Sequence, residues 1–272
     1  MTSVASRHPS RNLLTLPTNR VHVWYAALDV EPDELDGLEK TLARDERVRA
    51  SRFHFRKDRH HFTAARGILR QILARYVDRE PGELRLGYGR YGKPFLQQDC
   101  GTSELRFNLA HSHGMALYGI ALNREIGVDL ERIDRSFAHR QVAECFFSPR
   151  EALALRTLPA SLQIDAFFNC WTRKEAYVKA HGTGILTRLD SFDVSLIPGD
   201  PPELLNGGHD SWSIHAPKLM PGYAAAVVVQ GSCDLKAWKW KSTWRKCASV
   251  SQNLTVAASV AQRCYSNVVV CD

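Results

Sequence analysis

Two stretches decide this fold: GVDLE at 127–131 and WTRKEAYVKAHGTG at 171–184. The first is predicted to be a strand, in which residues two apart share a face, so Asp129 and Glu131 point the same way. The second is predicted to be a helix, in which residues four apart lie on one side, so Glu175 stacks on Lys179. The two stretches can therefore bring three carboxylates and a lysine together.

The residue types at these positions favour a metal ion next to a polyphosphate. Asp129, Glu131 and Glu175 offer the hard oxygen ligands that Mg²⁺ prefers, and Mg²⁺ shares its coordination with substrate phosphates. Lys174 and Lys179 would neutralise a pyrophosphate beside it. Each stretch alone has an ordinary interpretation, either a solvated strand end or an exposed helix face with salt-bridged charges. Their combination within a longer ordered pattern is what makes the metal interpretation specific.

Composition sets broad limits on the class of protein. The chain has 272 residues, which is enough for one large or two small domains, and a net charge of +7 with a pI of about 9.1. A basic balance suits nucleic acids, anionic membranes, phosphorylated cofactors and acidic proteins, and does not choose among them. No apolar run approaches the roughly 18 residues of a membrane span. We therefore expect no membrane partner.

Cysteine usage and the start of the chain indicate the compartment. The seven cysteines form no C-x-x-C pair, which argues against a disulfide framework or a zinc site and for a reducing compartment. The first residues lack the apolar region of a secretory signal peptide. We expect a cytoplasmic location.

The chain is expected to contain two similar lobes. The segment GMALYGIAL at 114–122 closes the first half much as PGYAAAVVV at 221–229 closes the second. Apolar spacing predicts helices over 33–49, 56–77 and 161–181. Ser148 is a predicted N-cap before Pro149, with Glu151 completing a capping box, and Gly182 is a predicted C-cap. Arg66 and Arg70 are predicted to share an exposed helix face. The predicted divisions are a flexible N-terminus at 1–20, an N-terminal lobe at 21–125, a C-terminal lobe at 126–240 and a tail of unknown role at 241–272.

Four ordered blocks carry a family resemblance. They are GRYGKPFL at 89–96, LRFNLAHSHG at 105–114, IGVDLERI at 126–133 and FFNCWTRKEAYVKAHGTGI at 167–185, with a weaker fifth block, RFHFRKDRHHFTAARGILR, at 52–70. Together they resemble the 4′-phosphopantetheinyl transferase superfamily in its Sfp-like class, over about residues 20–230. One departure is Ala110, where the family commonly has Ser before the histidine. This puts a single phosphate or sugar hydrogen bond in question.

The resemblance implies both a fold and a reaction. The fold is α/β (α+β), with two lobes related by a pseudo-twofold axis. Each lobe is a small, mainly antiparallel sheet packed on a long helix, and the active site lies in the cleft between them. The reaction transfers the 4′-phosphopantetheine arm of coenzyme A to a serine of an acidic apo acyl, peptidyl or polyketide carrier protein, releasing 3′,5′-ADP. It implies Mg²⁺, with Mn²⁺ as a substitute, and a monomer, because one chain holds both lobes.

The resemblance also implies roles for individual residues. Glu175 and Lys179 would be catalytic, and Asp129, Glu131 and Glu175 would bind the metal. The residues that would contact coenzyme A are Arg66, Arg90, Lys93, Pro94, Asn108, His111, Asp129, Lys174, Glu175 and Lys179.

Alternative interpretations remain open from the residues alone. The pair His111 and His113 could suggest a transition-metal site, although no third nitrogen or thiolate ligand has useful spacing. The same three carboxylates could serve a Mg²⁺-dependent phosphohydrolase, with water as the nucleophile. The basic, aromatic segment 52–62 could suggest nucleic-acid binding, but the basic residues follow no long face and no recognised reader motif is present. We therefore expect no nucleic-acid partner.

Overall fold

The structure is a computed structural model that describes residues 13–97, 104–137, 139–184, 187–206, 212–242 and 268–271. The first half contains β1 (Arg20–Ala27), α1 (Pro32–Thr41), α2 (Arg44–Ser51), α3 (Arg56–Leu73), β2 (Leu86–Tyr88), β3 (Pro94–Leu96), β4 (Leu105–Ser112) and β5 (Met115–Leu122). The second half contains β6 (Ile126–Arg132), α4 (His139–Phe146), α5 (Pro149–Thr157), α6 (Ala160–His181), β7 (Asp193–Val194), β8 (Leu204–Asn206), β9 (Trp212–His215) and β10 (Tyr223–Gln230). Two further strands follow, β11 (Asp234–Lys239) and β12 (Val268–Cys271).

The two halves repeat one topology. Each consists of a strand, three helices, a short pair of strands and a final pair of longer strands. Among the described residues, the first half orders its long strands β1-β5-β4 and the second orders them β6-β10-β9, antiparallel throughout. The segments at 114–122 and 221–229 form the two middle strands, β5 and β10. The predicted repeat and the two-lobed α+β fold are therefore confirmed.

Each lobe buries one long helix against its own sheet. Ile68 and Leu69 of α3 pack against Trp24 and Phe107 of the first sheet. In the second lobe, apolar residues of α6 pack against β10 and against the segment that follows α6. The members of this cluster include Phe167, Ala176, Ala180, Ala226 and Val228. Burial of these apolar faces is the main force that holds helix and sheet together.

A third core lies between the two sheets. Val21 and Leu117 of the first sheet belong to the same buried apolar cluster as Val128 and Val227 of the second sheet. The layers therefore run from α3 through the two sheets to α6. The edge strands β4 and β6 lie side by side at this junction, and the Asn108 side-chain oxygen accepts a hydrogen bond of 2.8 Å from the backbone N–H of Val128.

Gly127 allows α6 to pack directly on β6. A Cβ atom at this position would clash with the carbonyl oxygen of Ala176 and the backbone nitrogen of Ala180. Because Asp129 lies two residues after Gly127 on the same face of β6, this close packing brings Asp129 beside α6.

The helix ends match the sequence signals. Ser148 caps α5 by accepting a hydrogen bond of 3.2 Å from the N–H of Glu151, whose side chain accepts one from the N–H of Ser148. Gly182 ends α6 with a φ of 66°, the left-handed conformation that glycine adopts without strain. Both predicted caps are confirmed.

The predicted helices of the first half differ from those observed. The helix predicted at 33–49 is two helices, because Leu42 and Ala43 have extended backbones. The helix predicted at 56–77 ends at Leu73, where the next turn tightens into hydrogen bonds three residues apart.

The predicted exposed face of α3 is wrong. Arg66 and Arg70 are buried, and both donate to Glu46 of α2, at 3.0 and 2.6 Å. A buried carboxylate on a neighbouring helix therefore draws both guanidinium groups into the interior.

The chain end differs from the predicted lobe boundary. The sequence predicts that residues 234–239 belong to the C-terminal lobe, but β11 pairs in parallel with β1 of the first sheet, and β12 pairs with β11. Residues 1–12 of the predicted flexible N-terminus (1–20) lie outside the described residues. Its remainder is ordered, since Leu16 is buried and the N–H of Leu14 donates to the carbonyl of Arg75 at 2.6 Å. Most of the predicted tail also lies outside the described residues.

Helices in the described part of the chain are too short or too polar to cross a membrane.

Candidate active site between the lobes

The predicted column on α6 faces β6. Lys179 Nζ lies 2.5 Å from Asp129 Oδ1, and Glu175 lies one helical turn before Lys179. The Asp129 side chain is 4% exposed, whereas that of Lys179 is 32% exposed, so the ion pair runs from the interior to the cleft. The structure thus brings together the strand and helix residues that the sequence predicted.

Burial acts on all three carboxylates, and repulsion from Asp129 adds to it at Glu131 and Glu175. Desolvation raises the pKa of Asp129 despite the opposing charge of Lys179. Desolvation, and then the negative charge of Asp129, raise the pKa of Glu131. Desolvation also raises the pKa of Glu175. The positive charge of Lys179 opposes this shift, and the negative charge of Asp129 adds to it. A cation at this point would relieve the repulsion and stabilise all three charged forms.

The donor set fits a hard divalent cation. Asp129 Oδ2 is buried and has no hydrogen-bond partner among the described residues, while Oδ1 belongs to the Lys179 ion pair. Carboxylate oxygens are the ligands of choice for Mg²⁺. In the described part of the chain, however, no group of three or more His, Cys, Asp or Glu residues is arranged to hold a metal ion. The carboxylates thus offer suitable chemistry without forming a closed cage.

A cavity of about 680 Å³ opens beside Glu175 and Lys179. Lys93, Pro94 and Asn108 contribute to its wall from the first lobe. Its other lining residues come from the loop between β2 and β3 (the hairpin loop), from β4, α4 and α6, and from the segment after α6. They are Tyr91, Gly92, Leu109, Cys145, Phe146, Trp171, Val178, Gly182, Gly184, Thr187, Arg188, Leu189 and Asp190. The cavity joins charged groups to an apolar wall, a combination that suits a phosphorylated ligand with a long arm.

Sequence reasoning missed part of the apolar wall. Trp171 is only partly buried and packs between Phe146 and Phe167, with ring centroids 5.9 and 6.0 Å away. Its place one turn before Glu175 was a usable signal, because residues four apart share a face. Residues 187–190 carried no such signal.

Lys93 links the two lobes at the rim of this cavity. Its Nζ donates to Glu125 Oε2 and to the carbonyl of Ala180, each at 2.9 Å. Desolvation lowers the pKa of Lys93, and the Glu125 carboxylate opposes that shift. The predicted contact residue therefore also braces the end of α6 against the first lobe.

His111 lies near the end of β4, is exposed, and is not among the residues that line the cavity. Partial desolvation, and then the positive charges of Lys179 and His61, lower the pKa of His111. Both effects favour the neutral form of the imidazole.

Lys174 and Arg66 do not face the cleft, contrary to prediction. Lys174 is fully buried, lies 2.8 Å from Glu151 Oε2 and donates to the carbonyls of Leu189 and Phe192 at 2.6 and 2.5 Å. Lys174 precedes Glu175 by one position, so the 100° step of a helix turns it into the core. The guanidinium of Arg66 is occupied by Glu46 and by the Tyr88 hydroxyl.

Arg90 is exposed in the hairpin loop. Its guanidinium carbon lies 5.5 Å from the ring centroid of Tyr91. Arg90 is not among the residues that line the cavity, whereas Tyr91 is.

Two family models cover most of the chain. The one described as 4′-phosphopantetheinyl transferase superfamily matches residues 125–228, and the one described as 4′-phosphopantetheinyl transferase, N-terminal, matches residues 29–122. The two matches meet between the lobes.

Individual relatives carry related names. The chain is 41% identical over 220 residues to the 4′-phosphopantetheinyl transferase HetI of Nostoc sp., covering 80% of this chain and 91% of that protein. It is 24% identical over 209 residues to the 4′-phosphopantetheinyl transferase Sfp of Bacillus subtilis, covering 76% and 91%. Among solved structures, a holo-(acyl-carrier-protein) synthase of Bacillus anthracis in complex with CoA (3′,5′-ADP) is similar to part of this chain. The match covers 40% of this chain and 96% of the synthase chain, at 22% identity and a TM-score of 0.34.

Proposed function

Because this chain belongs to the 4′-phosphopantetheinyl transferase superfamily, we propose that the cleft between its two lobes is where the transfer takes place. The enzyme moves the 4′-phosphopantetheine arm of coenzyme A to a serine hydroxyl of an apo carrier protein, giving the holo-carrier protein and 3′,5′-ADP. The observation that supports this location is the ion pair of Lys179 with Asp129, one turn from Glu175, at the wall of the 680 Å³ cavity. The two-lobed chain fits the Sfp-like class.

Asp129, Glu131 and Glu175 are the residues proposed to hold Mg²⁺, with Mn²⁺ as a substitute. The unpartnered, buried Oδ2 of Asp129 and the raised pKa values of all three carboxylates support this assignment. When bound, the ion supplies positive charge to the pyrophosphate oxygens.

Glu175 is the proposed acceptor of the serine proton, directly or through one water molecule. It lines the cavity, so its carboxylate faces the space that the serine hydroxyl would enter. The serine oxygen then forms a bond to phosphorus while the bond to the bridging oxygen of the pyrophosphate breaks, and 3′,5′-ADP leaves.

Lys179 is proposed to donate to the phosphate oxygen on which negative charge grows as 3′,5′-ADP leaves. Lys93, Pro94 and Asn108, which line the cavity, are proposed to contact coenzyme A, and His111 is proposed to donate a hydrogen bond to a phosphate. Arg90 is a further proposed contact, from the exposed loop. Lys174 and Arg66 no longer belong to this set.

The Lys179→Ala variant tests the leaving-group role. A preorganised donor that acts mainly in the transition state should lower kcat by on the order of 10²–10³ when it is lost, while KM for coenzyme A changes less. Lys179→Arg should recover only part of the rate, because a planar fork replaces a point donor. Steady-state kinetics with an apo carrier protein measure both constants.

The exposed Lys218 provides a matched control, since it lines a separate groove. Lys218→Ala should leave both constants unchanged. An exposed helix lysine that only forms an ion pair with a neighbouring carboxylate contributes about 0.3–0.5 kcal/mol to stability. Normal turnover of Lys179→Ala would mean that Lys179 has only this structural role. A large rise in KM with unchanged kcat would mean that Lys179 binds substrate and transition state equally.

The enzyme is proposed to work as a cytoplasmic monomer, with acidic carrier proteins as partners and with neither nucleic acid nor membrane. One chain contributes both walls of the cleft, and Cys145, Cys170 and Cys233 are free thiols. The net charge of +7 favours acidic partners. Sedimentation equilibrium should give a single-chain mass at low concentration, and an obligate trimer would contradict the monomer.

A further inference from the structure

Ser112 of β4 reaches across the junction between the lobes to Glu131 of β6. Its hydroxyl donates to Glu131 Oε2 at 2.8 Å and accepts from the backbone N–H of Arg132 at 3.3 Å. The hydroxyl also lies 3.0 Å from His113 Nδ1. Ser112 is buried, so its hydrogen bonds are protected from competing water.

The direction of these hydrogen bonds is fixed by their partners. The N–H of Arg132 can only donate, and an ionised carboxylate can only accept. The single hydroxyl proton of Ser112 therefore points to Glu131. One oxygen of Glu131 is thus held by the first lobe, which leaves the other oxygen available to a ligand in the cleft.

The turn after Ser112 is itself anchored to both lobes. His113 and Gly114 have φ angles of 44° and 81°. The Tyr223 hydroxyl of β10 donates to the carbonyl of His113 at 2.8 Å, and the N–H of Leu28 donates to the carbonyl of Gly114 at 2.7 Å. The position of the Ser112 hydroxyl is therefore set by packing rather than by a free loop.

We propose that Ser112 is a positioning residue that orients Glu131 for the divalent cation, so that metal affinity depends on contact between the lobes. This inference rests on the proposed metal role of Asp129, Glu131 and Glu175. Hydrogen-bond partners of a ligand fix its orientation, and their loss commonly weakens metal binding by about 10–100-fold.

Titration of the full-length protein with Mn²⁺ alone, followed by calorimetry and by electron paramagnetic resonance, tests the inference without any catalytic readout. Ser112→Ala should weaken Mn²⁺ binding about 10–100-fold relative to wild type. Ser112→Thr keeps the hydroxyl and should recover most of the affinity. Ser213→Ala removes a hydroxyl on β9, the strand of the second sheet farthest from β6, where it donates to the carbonyl of Gly231, and it should lower thermal stability with no change in the Kd for Mn²⁺.

The outcomes separate the two proposals. Normal Mn²⁺ affinity in Ser112→Ala, together with lost affinity in Asp129→Asn, would overturn the positioning role and leave the metal site in place. Equal affinity in wild type and Asp129→Asn would place the ion elsewhere and overturn both. A fall in affinity of similar size in Ser213→Ala would show that general loosening is the cause, and would also overturn the positioning role.

Discussion

Asp129 combines burial with charge on β6, beside α6. Its side chain is 4% exposed, and desolvation raises its pKa even though Lys179 Nζ lies 2.5 Å away. A carboxylate whose folded pKa lies above its unfolded value of 3.8 destabilises the fold whenever it is ionised. The penalty is fully present above the folded pKa and disappears below the unfolded pKa.

This sign gives a prediction for Asp129→Asn without metal. In EDTA the variant should melt no lower than wild type at pH 7–8, and its advantage should shrink as the pH falls toward 4, because the wild-type carboxylate becomes neutral. Calorimetric melting across this range measures the difference. Phosphopantetheinyl transfer should be lost at every pH. A melting temperature well below wild type at all pH values would show that the ion pair with Lys179 outweighs the desolvation.

For individual residues, the sequence correctly predicted which side chains share one face of a single strand or helix. Asp129, Glu175 and Lys179 were found because periodicity decides which residues share a face. Lys174 and Arg66 were misplaced because their partners come from elsewhere in the chain. Glu151 lies on α5 and Glu46 lies on α2, and spacing within a motif carries no information about such contacts.

Helix α6 depends on a buried ion pair that faces away from the cavity. Lys174 binds Glu151, whose second oxygen accepts from the N–H of Val194 at 2.8 Å. Lys174 also binds the carbonyl of Leu189, a residue of the cavity wall. The network thus ties α5, α6 and the segment after α6 into one unit, and it fixes the face on which Glu175 stands.

A double-mutant cycle tests this structural role. Lys174→Met leaves the Glu151 charge buried without its partner, so the free energy of unfolding should fall by about 3–5 kcal/mol. Adding Glu151→Gln should recover part of that loss, because the buried charge is then removed as well. Denaturant unfolding measures each value. If Lys174 instead contacted coenzyme A, the single variant would keep its stability, KM for coenzyme A would rise, and the second change would rescue nothing.

Element boundaries followed local signals only where the signal was chemical. The caps of α5 and α6 were predicted because Ser148 and Gly182 act within one turn of their helices. The break at Leu42 was not, since no glycine or proline marks it. The parallel pairing of β11 with β1 also escaped prediction, because it joins residues more than 200 positions apart.

At the scale of the molecule, the repeated topology explains why one chain forms the whole cleft. The matching strand orders β1-β5-β4 and β6-β10-β9 place the edge strands β4 and β6 side by side. Each lobe then contributes to the same cavity, with Lys93 and Asn108 from the first and Glu175 and Lys179 from the second. The faint similarity of two segments predicted the repeat, but only the fold places these side chains around one space.

Deletion of residues 241–272 should leave the transfer reaction largely unchanged. The described part of this segment forms β12 at one edge of the first sheet, whereas β4, beside the cleft, forms the opposite edge. The uncovered β11 edge could promote association at high concentration, because an open strand edge can pair with another chain. Steady-state rates at low protein concentration measure the effect. A folded truncation with strongly reduced kcat would show that the segment contributes to the cleft.

The most direct test of the account is the intact mass of apo carrier proteins incubated with coenzyme A, Mg²⁺ and this enzyme. A panel of acyl, peptidyl and polyketide carriers should include at least one that gains a single phosphopantetheine on its serine, with 3′,5′-ADP released in equal amount. The gain should vanish with EDTA, return with Mn²⁺, and be absent with Asp129→Asn. No gain across a diverse panel with folded enzyme would contradict the account. Release of phosphopantetheine without any carrier protein would contradict it as well, since it would identify a phosphohydrolase.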